Sequence, residues 1–218
     1  MSFFISKPEN ISKNQLTYFI FQKNSPFVTI DYYLLSLGEI MSLDKLSEQL
    51  KSDTNQKMPP VELWDPPFCG EIDLQIKADG QWFYNGTVFK RMSLVKLFAS
   101  VLKKEADEYF LVTPVEKVKI TVEDAPLLIT QWSWLDEKQT IMQLTTNLDD
   151  IFILSKEHPL SISENGVLYV TVRRNLPAKV HRNVYYQWVN FAEEVQQKNG
   201  VGLVITSDNE PFILGYLE

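Results

Sequence analysis

Arg173-Arg174, Lys179, His181 and Arg182 place a run of cationic or protonatable groups within ten positions of an acidic chain. A guanidinium grips phosphate through two parallel N–H donors. A strand ending near Val172 and then turning would aim several of these cations at one rim, with Tyr185 beside them. That would suit a nucleotide or another small phosphorylated ligand; the plainer reading is a solubilising face or ion pairs with surplus carboxylates. Lys90-Arg91 stand just ahead of Ser93, which reads as a helix cap, and would add donors to a helix N-terminus, where anions are favoured. Glu71 and Asp73 fall on one face of a strand, about 7 Å apart. Such a pair could do acid–base work or hold magnesium, although a solvated strand face is simpler. Glu123-Asp124 form a weaker pair, better read as a turn before Pro126. Cys69 has no neighbouring base or helix start to activate it and reads as a buried structural thiol. His158, followed by Pro159, and His181, beside Arg182, read as surface or hydrogen-bonded core histidines.

Several catalytic signatures are missing. The chain has no Gly-x-Ser-x-Gly, no P-loop, no Gly-x-Gly-x-x-Gly, no His-Glu-x-x-His and no Cys-x-x-Cys. Eight glycines in 218 residues leave little for a phosphate-cradling loop. We therefore assign no catalytic residue, no metal ligand and no cofactor. One cysteine cannot form an internal disulfide, and with two histidines it cannot build a standard structural zinc site. A net charge of −7 argues against general nucleic-acid binding, which needs a basic footprint. With 44% hydrophobic residues the chain is globular, and at this length it can bury about 70% of its unfolded surface. No apolar run approaches the roughly 18–20 residues of a membrane span, and Met1–Asn10 lacks the order of a signal peptide. The expectation is a cytoplasmic protein away from the membrane.

The elements that must position these residues are mostly strands. Ile72, Leu74 and Ile76 alternate with Asp73, Gln75 and Lys77, which reads as a half-buried strand. Asp79-Gly80 and Asn85-Gly86 are hairpin turn pairs, separating Trp82-Phe83-Tyr84 from Thr87-Val88-Phe89. Ser93 would cap a helix with Leu94, Leu97, Phe98, Val101 and Leu102 on its apolar face, ending near Lys103-Lys104. Further strands are expected at Tyr109–Thr113, Val118–Val122, Leu127–Trp134, Thr140–Thr145, Ile151–Leu154, Val167–Val172, Val201–Thr206 and Phe212–Leu217. Their regular spacing points to a rolled sheet or barrel. One helix, Val184–Lys198, would be capped by Asn183 and closed by Gly200. Both halves combine antiparallel strands with a helix, which allows a structural duplication. The class is strand-rich α+β: residues 58–108 as a small β-meander plus helix, and 109–218 as a β-roll with one helix. Residues 41–57 read as a helix, with Leu43, Leu46 and Leu50 on one face, followed by a polar linker. Residues 1–40 read as an extension that a start codon at Met41 would exclude.

Longer strings point to a family. Pro59-Pro60-Val61-Glu62-Leu63-Trp64-Asp65-Pro66-Pro67-Phe68-Cys69-Gly70-Glu71-Ile72-Asp73 resembles the opening motif of a bacterial family known as domain of unknown function 1285. Asp79–Tyr84, Leu94–Phe98, Tyr109–Val118, Val122–Pro126, Glu157–Leu160 and Asn183–Tyr186 are similar to its later segments, so the resemblance runs from about Leu43 to Tyr216. It implies two small domains, the second loosely pleckstrin-homology-like, with a cleft between them for a nucleotide-like ligand and a role in bacterial signalling. No activity comes with it. Carried onto this chain, the matching motifs nominate Trp64, Cys69, Asp73, Trp82 and Tyr84 for that cleft. Charge reasoning adds Arg91, Lys117, Arg173 and Arg174, with Tyr185 beside them. Aromatic rings would stack a base and arginines would hold phosphate.

The resulting expectation is a sensor that binds a small anionic ligand at the domain interface and reports it to a signalling partner. One alternative is a protein- or peptide-interaction module without a small ligand. Another is an enzyme using Glu71, Asp73 or Cys69.

Overall fold

The computed structural model describes residues 58–197 and 200–217. The expected extension, the Met41 start, the leucine-faced helix and its linker lie outside these residues.

Strand β1 (Phe68–Ile76) buries Ile72, Leu74 and Ile76 and exposes Glu71 and Asp73, as the alternation requires. The Asp79-Gly80 turn returns the chain as β2 (Trp82–Tyr84), which pairs antiparallel with β1. Asn85 and Gly86 both have positive φ, 48° and 72°, the requirement of a type I′ hairpin, and lead into β3 (Thr87–Val88).

Helix α1 (Met92–Ser100) follows, with Val95, Phe98 and Ala99 buried. Two expectations change here. Arg91, not Ser93, is the N-cap residue, and no side chain caps the helix. The helix also stops at Ser100 rather than near Lys104. Val101 and Leu102 continue the apolar spacing, but Val112 N–H donates to the Val101 carbonyl and Leu102 pairs with Leu111. Sheet pairing overrides helical periodicity there. Lys103 and Lys104 therefore sit on β4 (Leu102–Glu105) instead of at a helix end.

Strands β5 (Glu108–Val112) and β6 (Lys117–Val122) complete the first sheet, in the order β3-β2-β1-β6-β5-β4. Both were expected in the second half. A division after residue 108 falls inside β5, whereas this sheet ends at Val122. The second sheet starts at β7 (Leu127–Trp134) and continues with β8 (Met142–Thr146), β9 (Ile151–Ile153), β10 (Leu160–Ile162), β11 (Leu168–Arg173) and β12 (Leu176–Val180). Its order is β10-β11-β12-β7-β8-β9.

Counted from its own first strand, each sheet reads 3-2-1-6-5-4, with the first and last strands parallel at the centre. The duplication that composition only allowed is present in strand order. The halves differ in the link between strands three and four, which is α1 in the first sheet and the loop 154–159 in the second.

Strand β12 is masked in the sequence by Pro177. Pairing with β7 begins at Ala178, so the proline sits where that side of the strand is still unpaired.

Helix α2 (Arg182–Val189) is capped by His181, whose side chain accepts from the Asn183 N–H, and buries Val184 and Trp188. It ends at Val189 rather than Lys198. Glu193–Gln197 is strand β13, and Gly200 opens β14 (Gly200–Ser207) instead of closing a helix. With β15 (Glu210–Leu217) these form a three-stranded antiparallel sheet. The second half thus builds a six-stranded and a three-stranded sheet. Among the described residues, no helix is long and apolar enough to cross a membrane.

Candidate functional site

The arginine pair does not form a ligand rim. Arg174 and Asn175 make the positive-φ turn between β11 and β12, which carries both arginines to the C-terminal end of α1. Arg173 Nη2 donates to the Ala99 carbonyl at 3.1 Å, and Arg174 Nη1 donates to the Ser100 carbonyl at 2.6 Å. A helix of this kind ends in unpaired carbonyls carrying partial negative charge, and α1 has no basic residue in its own last turn. The second sheet supplies the missing cations. Arg174 also donates from Nη2 to the Pro59 carbonyl and pairs through Nε with Glu62 at 2.7 Å. Arg173 faces Asp150 as an ion pair without hydrogen-bond alignment at that nitrogen. The Arg174 side chain is only 10% exposed; burial pushes its guanidinium below the usual range despite the opposing pull of Glu62. Arg174 and Arg173 Nη2 already hold carbonyls and Glu62, Arg173 Nη1 faces Asp150, and Arg173 Nε is buried away from any ligand.

The other nominated residues occupy separate places. Trp82 is 2% exposed and cannot stack a base. Tyr84 is half-buried beside Phe89. Cys69 is exposed rather than buried, and Asp73 is exposed and accepts from Gln75 at 2.8 Å. Trp64, half-buried, closes a short 3-10 turn, Val61–Leu63. Arg91 is exposed ahead of α1. Lys117 is tied to Glu105 at 2.9 Å and lies over Phe110. Tyr185 packs beside Tyr186. Lys179 pairs with Asp124 at 2.6 Å, and Arg182 Nε donates to the Tyr186 hydroxyl, so the basic run disperses. Glu71 is claimed by Lys119 at 3.1 Å. No cluster of three metal-ligating side chains occurs among the described residues.

Asp124, read from sequence as a plain turn residue, joins the two sheets. It accepts from the Tyr169 hydroxyl at 2.7 Å as well as from Lys179. Burial raises its carboxyl pKa, but the bonds from Lys179 and Tyr169 outweigh this and hold it below the usual range. Burial, then the bond to Asp124, pushes the Tyr169 hydroxyl up to about 12. The depressed Asp124 stabilises the fold above its unfolded pKa of about 4, and that contribution is lost as pH falls through the folded value. The raised Tyr169 contributes below about pH 10 and loses this as pH rises toward 12. In urea denaturation across pH, Asp124→Asn should flatten the acid limb and Tyr169→Phe the alkaline limb. Limbs identical to wild type would count against the latch.

The described residues do form an open cleft of about 960 Å³ elsewhere, along β9. It is lined by Gln143, the three β9 residues, the loop Ser155–His158, Leu135 and Asp208. None of the ten nominated residues lines it. His158 Nδ1 lies 3.0 Å from the Thr171 carbonyl, to which it donates. The ring packs on Phe152 with centroids 4.6 Å apart. Ile151 remains 61% exposed. The signals for this place were present in the chain, in the uncharged Ile-Phe-Ile run and the Glu157-His158-Pro159-Leu160 string, but neither has a chemistry of its own without the fold.

The N-terminal domain of DUF1285, a domain of unknown function, matches residues 59–125, and the C-terminal domain of the same protein family matches residues 126–214. A crystal structure of a DUF1285 family protein from Silicibacter pomeroyi DSS-3 is 32% identical, with TM-score 0.69, covering 79% of this chain and 95% of that one. A second, from Shewanella baltica OS155, is 35% identical, with TM-score 0.46, covering 54% of this chain and 90% of that one. No curated protein matches.

Proposed function

We propose that this chain, which belongs to the DUF1285 family, is a binding module that recognises a protein partner through the cleft along β9. The observation that carries this reading is the exposed apolar edge itself: an uncharged strand bordered by an open cleft with polar groups around it. A nucleotide-like ligand at the interface between the halves draws less support, because Arg173 and Arg174 are already held by α1, Asp150, Pro59 and Glu62. An enzyme built on Glu71, Asp73 or Cys69 draws none from the geometry, since these side chains do not line the cleft. A signalling role and a loosely pleckstrin-homology-like roll for the second half belong to the same proposal. So does a cytoplasmic setting, which suits the exposed free thiol of Cys69.

The test is a photo-crosslinking residue placed at Ile151, and separately at Arg91, in cells expressing the full chain. Protein adducts at position 151 that are absent at position 91 are expected. Adducts at neither position would overturn the reading.

A further inference from the structure

The edges of the three sheets differ in how they are protected. Free edges invite pairing with other chains, and proteins blunt them with charge, proline, brevity or cover. Here β3 is two residues long and β4 carries Lys103, Lys104 and Glu105. β10 follows Pro159 and lies against β15, which itself carries Glu210 and Pro211, and β13 carries Glu193 and Glu194. Strand β9, Ile151-Phe152-Ile153, has neither charge nor proline.

Its backbone is oriented for pairing. Leu154 N–H donates to the Met142 carbonyl, and Thr146 N–H donates to the Asp150 carbonyl. With Leu144 opposite Phe152 in the register, the bonded pairs are therefore 142–154, 144–152 and 146–150. In an antiparallel ladder the alternate residues turn their amide groups the other way. The N–H and C=O of Ile151 and of Ile153 point away from β8, at the open edge of the sheet. Among the described residues they have no backbone partner.

The charge around the cleft indicates the occupant. Glu157 and Asp208 are exposed carboxylates on its walls, with no ion pair among the described residues, against one ammonium, Lys156. The whole chain is also acidic, at −7, so attraction at longer range favours the same sign of partner. A second copy of this chain would bring its own two carboxylates against these.

Resting on the partner-binding reading above, we propose that β9 accepts an added strand from a partner segment that is extended, apolar on alternate residues and basic between them. Main-chain bonds to Ile151 and Ile153 would supply affinity, and the alternate side chains would supply specificity. Phe152, packed on His158, fixes the floor; Glu157 and Asp208 receive the cations.

The test uses the full chain, isotope-labelled, with two ten-residue probe peptides, one alternating valine with lysine and the other valine with glutamate. Hydrogen exchange read by NMR should slow at least about tenfold at the Ile151 and Ile153 amides with the lysine peptide, and little with the glutamate peptide. Ile151→Pro removes one outward N–H that β8 does not use, so pairing within the sheet survives and binding is lost. Glu157→Lys with Asp208→Lys should reverse the preference between the peptides. Three results would overturn the proposal: no slowing with either peptide, slowing only at other amides, or slowing of Ile151 and Ile153 that grows with protein concentration alone. The last would identify a second copy as the occupant. Failure here alongside adducts at position 151 would leave the partner-binding reading standing and remove only strand addition.

Discussion

Arg174→Met should lower stability by about 3 kcal/mol, because it removes charged hydrogen bonds to two carbonyls, each worth about 1.5–3 kcal/mol. The substitution keeps most of the apolar stem but leaves the Ser100 and Pro59 carbonyls without their guanidinium partner. The Pro59 carbonyl keeps the Val61 N–H at 2.8 Å, so the larger share of the loss falls at the part-buried Ser100 carbonyl. Glu62 is half-exposed and can return to water, so its loss adds little. For a chain of this size the expected change is a melting temperature lower by roughly 6–12 °C. Arg174→Lys should fall between, since an ammonium keeps charge but cannot reach three acceptors with a fixed fork. Hydrogen exchange should quicken at Leu63 and Val101, which belong to the 3-10 turn and to the end of α1 that Arg174 ties together. The same experiment separates a structural tie from a phosphate site. Added ATP should leave the wild-type melting temperature where it is. A melting temperature that Arg174→Met leaves unchanged, or one that ATP raises in the wild type and not in the variant, would restore the sensor reading.

Local pattern and tertiary pairing account for what the chain disclosed and what it withheld. Ile72, Leu74 and Ile76 alternate against polar neighbours, and the core face of β1 follows from that alone. Asn85-Gly86 requires positive φ in a hairpin and has it. The ends of helices were not legible in the same way. Val101 and Leu102 fit the α1 stripe, yet their partners are Val112 and Leu111, eleven and nine residues away and invisible to any local pattern. Val195 likewise reads as part of α2 until β14 is there to pair with β13. The site suffered most. Arg173 and Arg174 look like a phosphate grip in sequence because carbonyls at a helix end and phosphate oxygens offer a guanidinium the same kind of acceptor. Only the fold reveals that α1, more than seventy residues upstream, is the acceptor. Asp124 is hidden for the same reason, since Tyr169 and Lys179 lie 45 and 55 residues away.

The two turn glycines of the first sheet separate backbone conformation from packing, and they should respond very differently to the same change. Gly80 and Gly86 have similar positive φ, 80° and 72°. An alanine at either position meets the left-handed penalty of about 1–2 kcal/mol. A Cβ at Gly86 would meet nothing within 4 Å. A Cβ at Gly80 would lie 2.9 Å from Nδ2 of Asn147, just past β8, and 2.9 Å from Cδ1 of Leu128 on β7. Neither neighbour yields easily: Leu128 is buried, and the Asn147 carboxamide accepts from the Leu128 N–H at 3.0 Å. Overpacking of this kind adds roughly 1–3 kcal/mol. Gly86→Ala should therefore cost about 1–2 kcal/mol and Gly80→Ala about 2–5 kcal/mol. The excess at Gly80 belongs to the junction between the sheets. In urea denaturation it should shrink when Leu128→Ala clears the contact, because substitutions that share one contact are not additive. Equal costs at the two glycines, or an excess that survives Leu128→Ala unchanged, would mean that the β1–β2 turn does not press on the second sheet.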